Sequence, residues 1–230
     1  MISNIKNWFH NYWYYYKWRV IIVSFFVVIA VFCTVQFFTQ NKTTDVTVAF
    51  IGPYFPAADS EKEIGNAFSQ IMSKDLNGDG KKNATVIITS AFTDDEIIEA
   101  VGQDADLNAK LKYAQFTVSS VESKVSNLIF AGDANILLLD EFWYERLKSA
   151  NALAKISEIA EDSKYEIIDG YYVILSETKF GQFFDSLGSL PDDTRICFRV
   201  LPSSSAFTGK KQSEINYENS KAVLRDLLGF

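Results

Sequence analysis

The chain has 230 residues and a net charge of −7, from 22 Lys plus Arg against 29 Asp plus Glu; it is 48% hydrophobic, with one His and two Cys. That length allows one or two domains and excludes a large multidomain enzyme. The apolar content excludes disorder, two Cys exclude a disulfide-built scaffold, and a lone His excludes any site that needs several.

These averages hide two materials. Residues 1–44 hold Lys6, Lys17, Arg19 and Lys42 and no acid, while the remaining 186 residues hold 18 bases and 29 acids. The run Val20 to Phe38 is uncharged, with Ser24, Thr34 and Gln36 as its polar positions. Nineteen residues at about 1.5 Å each cover about 28 Å, close to the roughly 30 Å hydrocarbon thickness of a bilayer. In lipid the backbone must bond to itself, so this β-branched run is expected to be a transmembrane helix. Trp8, Trp13, Tyr14, Tyr15, Tyr16, Lys17, Trp18 and Arg19 precede it. Trp and Tyr favour the headgroup layer, where the ring is dry and the polar tip wet, and the two bases resist inward sliding. The alternative is a buried core helix with aromatic neighbours.

The apolar run exceeds the roughly 7–15 residues of a signal peptide's core, and no small-x-small cleavage site follows it. Phe32 before Cys33 does not fit a lipidation signal. Three of the four flanking bases lie before the run, which predicts a cytoplasmic N-terminus and an extracytoplasmic domain over 46–230, joined by a linker at 39–45. Cys197 then has no soluble partner thiol, and no intrachain disulfide is expected.

The outer domain alternates strand and helix signals. Val46 to Ile51 is a β-branched run stopped by Gly52-Pro53. Ser60 to Leu76 predicts a helix, capped by Ser60, with Glu61 and Glu63 in its first turn. Ala84 to Thr89 predicts a second strand, and Asp94, Asp95 and Glu96 open a helical stretch. Leu107, Leu111, Ala114, Val118, Val121, Val125 and Leu128 make one long apolar stripe at steps of three and four, read as a helix packed on the sheet, with a coiled coil as the alternative. Asn135 to Asp140 has a continuous apolar centre, which implies burial on both faces of a parallel sheet. Glu141 to Ala160 reads as helix, interrupted near Ser149-Ala150-Asn151. Asp169-Gly170 between Tyr165–Ile168 and Tyr171–Leu175 is a two-residue hairpin signal. A short helix at 180–187, a strand at 194–201 and a helix at 216–228 complete an α/β domain with a mostly parallel sheet.

Asp75, Asn77 and Asp79, with Gly80 at the sixth position, match the first half of an EF-hand calcium loop; the Lys81 carbonyl and Asn83 would add oxygens. Position twelve is Val86, so the closing Glu is missing. The loop is therefore either a weak structural calcium site, closed by Asp94, Asp95 or Glu96, or a tight helix-to-strand turn. Calcium is the one cofactor the sequence suggests.

Catalytic patterns are poor. Ser176-Glu177-Thr178-Lys179 has a Ser-x-x-Lys spacing, but its companion motifs are missing, and Ser176 reads better as a helix cap. Asp140-Glu141 pairs two carboxylates, and a strand-end Asp capping the next helix is the simpler reading. The acidic outer domain argues against nucleic acid partners. No enzyme activity is expected.

The text Leu-Ile-Phe-Ala-Gly-Asp-Ala-Asn-Ile-Leu-Leu-Leu-Asp-Glu-Phe-Trp-Tyr-Glu-Arg-Leu over 128–147, ending in Ala-Asn-Ala-Leu, resembles the first lobe of bacterial extracellular solute-binding proteins. In that family a helix ends in Ala-Gly-x-Ala-Asp and a buried strand delivers an Asp to the cleft. Cys197 to Leu201 with Pro202-Ser203 is similar to its returning strand. Asn135 departs from the usual Asp, the domain is too short for two lobes, and a transmembrane helix replaces the lipid anchor. The plan looks like short, membrane-anchored, one-lobe proteins of Gram-positive bacteria. The resemblance implies a ligand cleft at the carboxyl ends of the strands, where Tyr54, Phe92 and Trp143 would stack a sugar or peptide and Asp140 and Glu141 would accept hydroxyl bonds. The expected function is ligand binding or sensing outside the membrane; the alternative is a docking domain for an envelope protein.

Overall fold

A computed structural model describes residues 2–40, 44–102, 110–132, 134–201 and 210–230, with the side chains of 2–12, 36–40 and 210–212 excepted. Trp8, Leu107 and the 202–205 segment read from the sequence thus lie outside the described groups. The chain forms two compact units, Met1–Thr43 and Thr44–Phe230.

The first unit is one helix, α1 (Ile2–Gln40). Its 23-residue stretch Trp13–Val35 has a mean hydropathy of 2.5 and is long and apolar enough to cross a membrane. No break separates the aromatic prefix from the apolar run: the rings of Trp13, Tyr14, Tyr15 and Trp18 project from the same helix and are exposed. Lys17 and Arg19 lie over the rings of Tyr14 and Tyr16.

The second unit is built in the order β1 (Val46–Gly52), α2 (Ser60–Ile71), β2 (Ala84–Ser90), α3 (Asp94–Val101), α4 (Val118–Ala131), β3 (Ile136–Leu139), α5 (Glu141–Ser149), β4 (Leu153–Ala154), β5 (Tyr172–Ile174), α6 (Lys179–Phe183), β6 (Arg195–Arg199) and α7 (Lys210–Gly229). The sheet order is β2-β1-β3-β6-β4, with β5 also on β6. β1, β2 and β3 run parallel. β6 is antiparallel to β3, β4 and β5. The sheet is therefore mixed, which corrects the mostly parallel expectation. A buried strand has the same apolar pattern in either direction, so periodicity could not fix the sense of β6.

Alternation along each strand divides the core. Val48, Phe50, Ile136, Leu138, Ile196 and Phe198 face α2 and α7, while Ala49, Ile51, Leu137, Leu139 and Cys197 face α4 and α5. All four residues of β3 are buried, as its unbroken apolar run requires. α2 lies close enough that a Cβ on Gly65 would come within 2.6 Å of the Ala84 carbonyl oxygen.

Several boundaries differ from the sequence reading. The long stripe is broken at Thr117, whose extended backbone bridges Phe92 and whose hydroxyl accepts from the Ser120 N–H to start α4. Its buried part is Val121, Val125 and Leu128, with Ala114 and Leu111 exposed. Ser60 does not cap α2; Asp59 holds that position, and no side chain bonds there. Asp169 and Gly170 both have positive φ, so the predicted tight turn is present. Its arms share one bridge, Ile168 to Tyr172, and the second arm pairs with β6 instead. Cys33 and Cys197 are both free thiols.

Candidate functional site

Gly52, Ser90 and Leu139 end the three parallel strands at one edge of the sheet, and Arg195 opens the antiparallel β6 opposite Leu139. This carboxyl edge holds the five residues singled out for ligand contact, but not as one open cleft.

Asp140 follows β3 and caps α5: its Oδ1 accepts from the Trp143 N–H at 2.8 Å. Only 6% of Asp140 is exposed. Loss of water raises its carboxyl to about 7, opposed by the Trp143 N–H, reinforced by the charges of Glu96 and Asp193, and opposed again by Arg195. Gly52 leaves room for it, since a Cβ there would stand 3.2 Å from the Asp140 Cβ. Glu141 points to solvent in the first turn of the helix, where the helix dipole favours it.

Trp143 does not line a surface. It is buried against Ile51, Ala91 and the inner face of α4, and its Nε1 has no hydrogen-bond partner among the described residues. Phe92 is also buried, with its backbone bonded to Phe116 and Val118. Around it Phe55, Tyr113 and Phe116 form an aromatic group, with Phe55 4.8 Å from Phe92 and 4.9 Å from Phe116. Phe55 is its most exposed member, at 46%, with Tyr113 and Phe116 partly exposed. Tyr54 is half-buried, and its hydroxyl meets those of Ser60 and Ser189 at 3.2 and 3.1 Å. These bonds hold the β1–α2 loop against the segment before β6.

Arg195 is the member of this edge that the sequence reading missed. It is buried, and its guanidinium lies 5.7 Å from the Tyr144 ring and 5.3 Å from the Tyr172 ring. Its Nη2 is 3.5 Å from Glu141 and its Nη1 3.7 Å from Asp193. Among the described residues Nε and Nη1 have no hydrogen-bond acceptor, and the guanidinium lies beside the rings of the two tyrosines instead. A charge at each end of a short, buried apolar strand was the available signal.

Two surface grooves of about 340 and 420 Å³ occur elsewhere. The first is lined by Leu187, Pro191 and Asp192, the second by Ile159, Arg225 and Leu228, and none of the five candidate residues borders either.

In the calcium-like loop the side-chain oxygens are engaged by the backbone. Asp75 accepts N–H bonds from Asn77, Gly78 and Gly80, Asn77 accepts from Asp79, and Asp79 accepts from Lys81. The Gly80 bond, then those from Gly78, Asn77 and Asp79, hold the Asp75 carboxyl below its usual range against a partial loss of water. Asp45 closes the loop from β1, accepting from Leu76, Asn77 and Asn83. Gly78 and Gly80 have positive φ, as a tight turn requires. Lys82 donates to the Met72 carbonyl rather than to the loop. Among the described residues no group of three or more His, Cys, Asp or Glu side chains is placed to share a metal ion.

Ser176 is not a helix cap. Its hydroxyl donates to the Asp192 carbonyl at 2.6 Å, and Thr178 caps α6 through the Gly181 N–H. Asn135, where the resemblance expects Asp, is buried and structural: its amide donates to Ser220 and its oxygen accepts from Arg199.

No family model, curated protein or solved structure matches the chain.

Proposed function

We propose that this chain is a single-pass membrane protein whose α/β domain stands outside the membrane and serves as a docking platform for another envelope component. The observation that carries the docking reading is the state of the aromatics at the carboxyl edge. Phe92 and Trp143, which a sugar or peptide would need for stacking, are buried in the core. Phe55 and Phe142 are exposed beside them, at 46% and 37%. Exposed apolar side chains of this kind suit a macromolecular surface better than they suit a small solute, which is bound in an enclosed pocket. The orientation follows from the bases that precede the apolar stretch of α1.

A second reading, a solute-binding lobe, is favoured by the desolvated Asp140 near the buried Arg195 at the strand ends. Calorimetric titration of the full chain in lipid nanodiscs with a panel of sugars and peptides separates the two. Docking predicts no heat above dilution; saturable heat that is lost in Asp140→Asn supports the solute reading. A photo-crosslinking residue at Phe55 is expected to give an adduct of one defined mass, weakened by Phe142→Glu. Absence of any adduct from position 55 would contradict docking.

Calcium at Asp75, Asn77, Asp79, the Lys81 carbonyl and Asn83 is a further proposal, carried by spacing alone. A ligand bound only by the folded state raises the Tm with its concentration. A Tm unmoved between excess chelator and millimolar calcium would remove the proposal.

A further inference from the structure

Three phenylalanines share one surface of the α/β unit. Phe183 ends α6 and is 68% exposed, and Phe230, after α7, is 38% exposed. Their ring centroids lie 5.8 Å apart. Phe184, half-buried, stands 5.0 Å from Phe183 and 6.3 Å from Phe230. Beneath them the ring contacts continue into the core, from Phe184 to Phe180 at 5.4 Å and from Phe180 to Phe68 at 4.9 Å.

The fold fixes these rings in place. A Cβ on Gly181 would overlap the Leu175 carbonyl, so α6 lies directly against the backbone that precedes it. Gln182 donates to the Ser176 carbonyl at 2.9 Å, and the Lys179 N–H donates to the Tyr165 hydroxyl at 3.0 Å. The Lys164 N–H and ammonium donate to the Leu228 and Gly229 carbonyls, beside Phe230. Aromatic side chains already held in one position lose little freedom on binding, which makes them effective anchors.

The aromatic group joins the two grooves. Phe184 lines the groove of about 340 Å³, and Leu228 and Gly229, the residues before Phe230, line that of about 420 Å³. Both grooves have acidic rims. Asp185 and Asp192 line the first with no base, and Glu158, Glu161 and Asp162 line the second with Arg225. Arg225 itself donates from Nε to the Ile159 carbonyl at 2.8 Å. The flanking segments add Glu166, Glu177, Asp193 and Asp226 against Lys155, Lys164 and Lys179. Acids thus exceed bases nine to four around the apolar centre.

Charge decides which partner fits. An isologous pairing of two copies would set these acids against themselves. An anionic lipid surface would meet the same repulsion. A basic segment with apolar side chains complements both the rings and the rims. We propose that this surface docks a basic peptide segment of a partner protein, with apolar side chains packed on Phe183, Phe184 and Phe230 and Lys or Arg over the grooves. The inference requires neither the membrane reading of α1 nor docking at Phe55 and Phe142.

The test selects peptides from a random phage-displayed library on the full chain in phosphatidylcholine nanodiscs, after removal of clones that bind empty nanodiscs. Selected peptides are expected to carry an excess of Lys or Arg and at least one large apolar residue. Their affinity is expected to fall at least about tenfold in Phe183→Asp, the loss of a central anchor. A comparable loss is expected when Asp185→Lys and Asp192→Lys are combined, which leaves the rings intact; the Tm of each variant is expected to stay near the parent's. Phe142→Glu is expected to leave the affinity unchanged, which separates this surface from the carboxyl edge. Peptides without net positive charge, failure to select any peptide, or equal binding to the parent and Phe183→Asp would overturn the proposal. So would a dimer of the chain in detergent that Phe183→Asp dissociates, since the occupant would then be a second copy.

Discussion

Asp140 shows how one side chain serves the fold against its own ionisation. Burial raises its carboxyl from 3.8 to about 7. Between those values the folded chain holds a proton that the unfolded chain releases, so stability falls as pH rises from about 4 to 7 and levels off above. Asp140→Asn keeps a capping oxygen and removes the charge. Thermal melts are expected to show the variant more stable than the parent at pH 8 by about 1–3 kcal/mol, with the gap closing near pH 4; parallel pH profiles would contradict this. Arg199 has the opposite logic. It donates to Ala134 and Ile129 carbonyls and to the Asn135 side chain from a buried site. Arg199→Met strands those acceptors and is expected to lower stability by about 2–4 kcal/mol in urea unfolding. At this scale the sequence was informative where local chemistry decides: the reading of Asp140 as a cap follows from its place before a helix. It was uninformative where a tertiary neighbour decides, as with Arg195 between Tyr144 and Tyr172 or Thr178 capping in place of Ser176.

At the scale of elements, strands with unbroken apolar runs were legible because burial on both faces leaves no room for polar alternation; β3 is the clear case. The break at Thr117 was not, because the stripe continues through it in phase. A backbone bridge to Phe92 forces the extended residue there, and no periodicity reports that. The direction of β6 was invisible for the same reason. Close approach of elements is also tertiary. Gly65→Ala would gain about 1 kcal/mol in helix propensity, yet its Cβ would sit 2.6 Å from backbone oxygen of Ala84. The clash is expected to dominate, with net destabilisation of about 1–3 kcal/mol, read as a lower urea midpoint with an unchanged m-value. A Gly65→Ala protein as stable as the parent would mean α2 shifts freely on the sheet.

For the whole molecule, the division into an apolar helix and an acidic α/β unit was readable from charge alone, since no acid occurs before Asp45. The candidate site was only half legible. The five candidate residues do gather at the carboxyl edge of the sheet, but two of the aromatics are buried, and the exposed ones carry the proposed docking. That account requires the α/β domain to be extracytoplasmic. The direct measurement is labelling of intact cells with a membrane-impermeant maleimide, using full-length protein with Cys33→Ser and one added cysteine. With Cys197 buried, Phe183→Cys is expected to react without permeabilisation, and Ser3→Cys only after it. The reverse pattern, or recovery of the protein in the soluble fraction, would contradict the account.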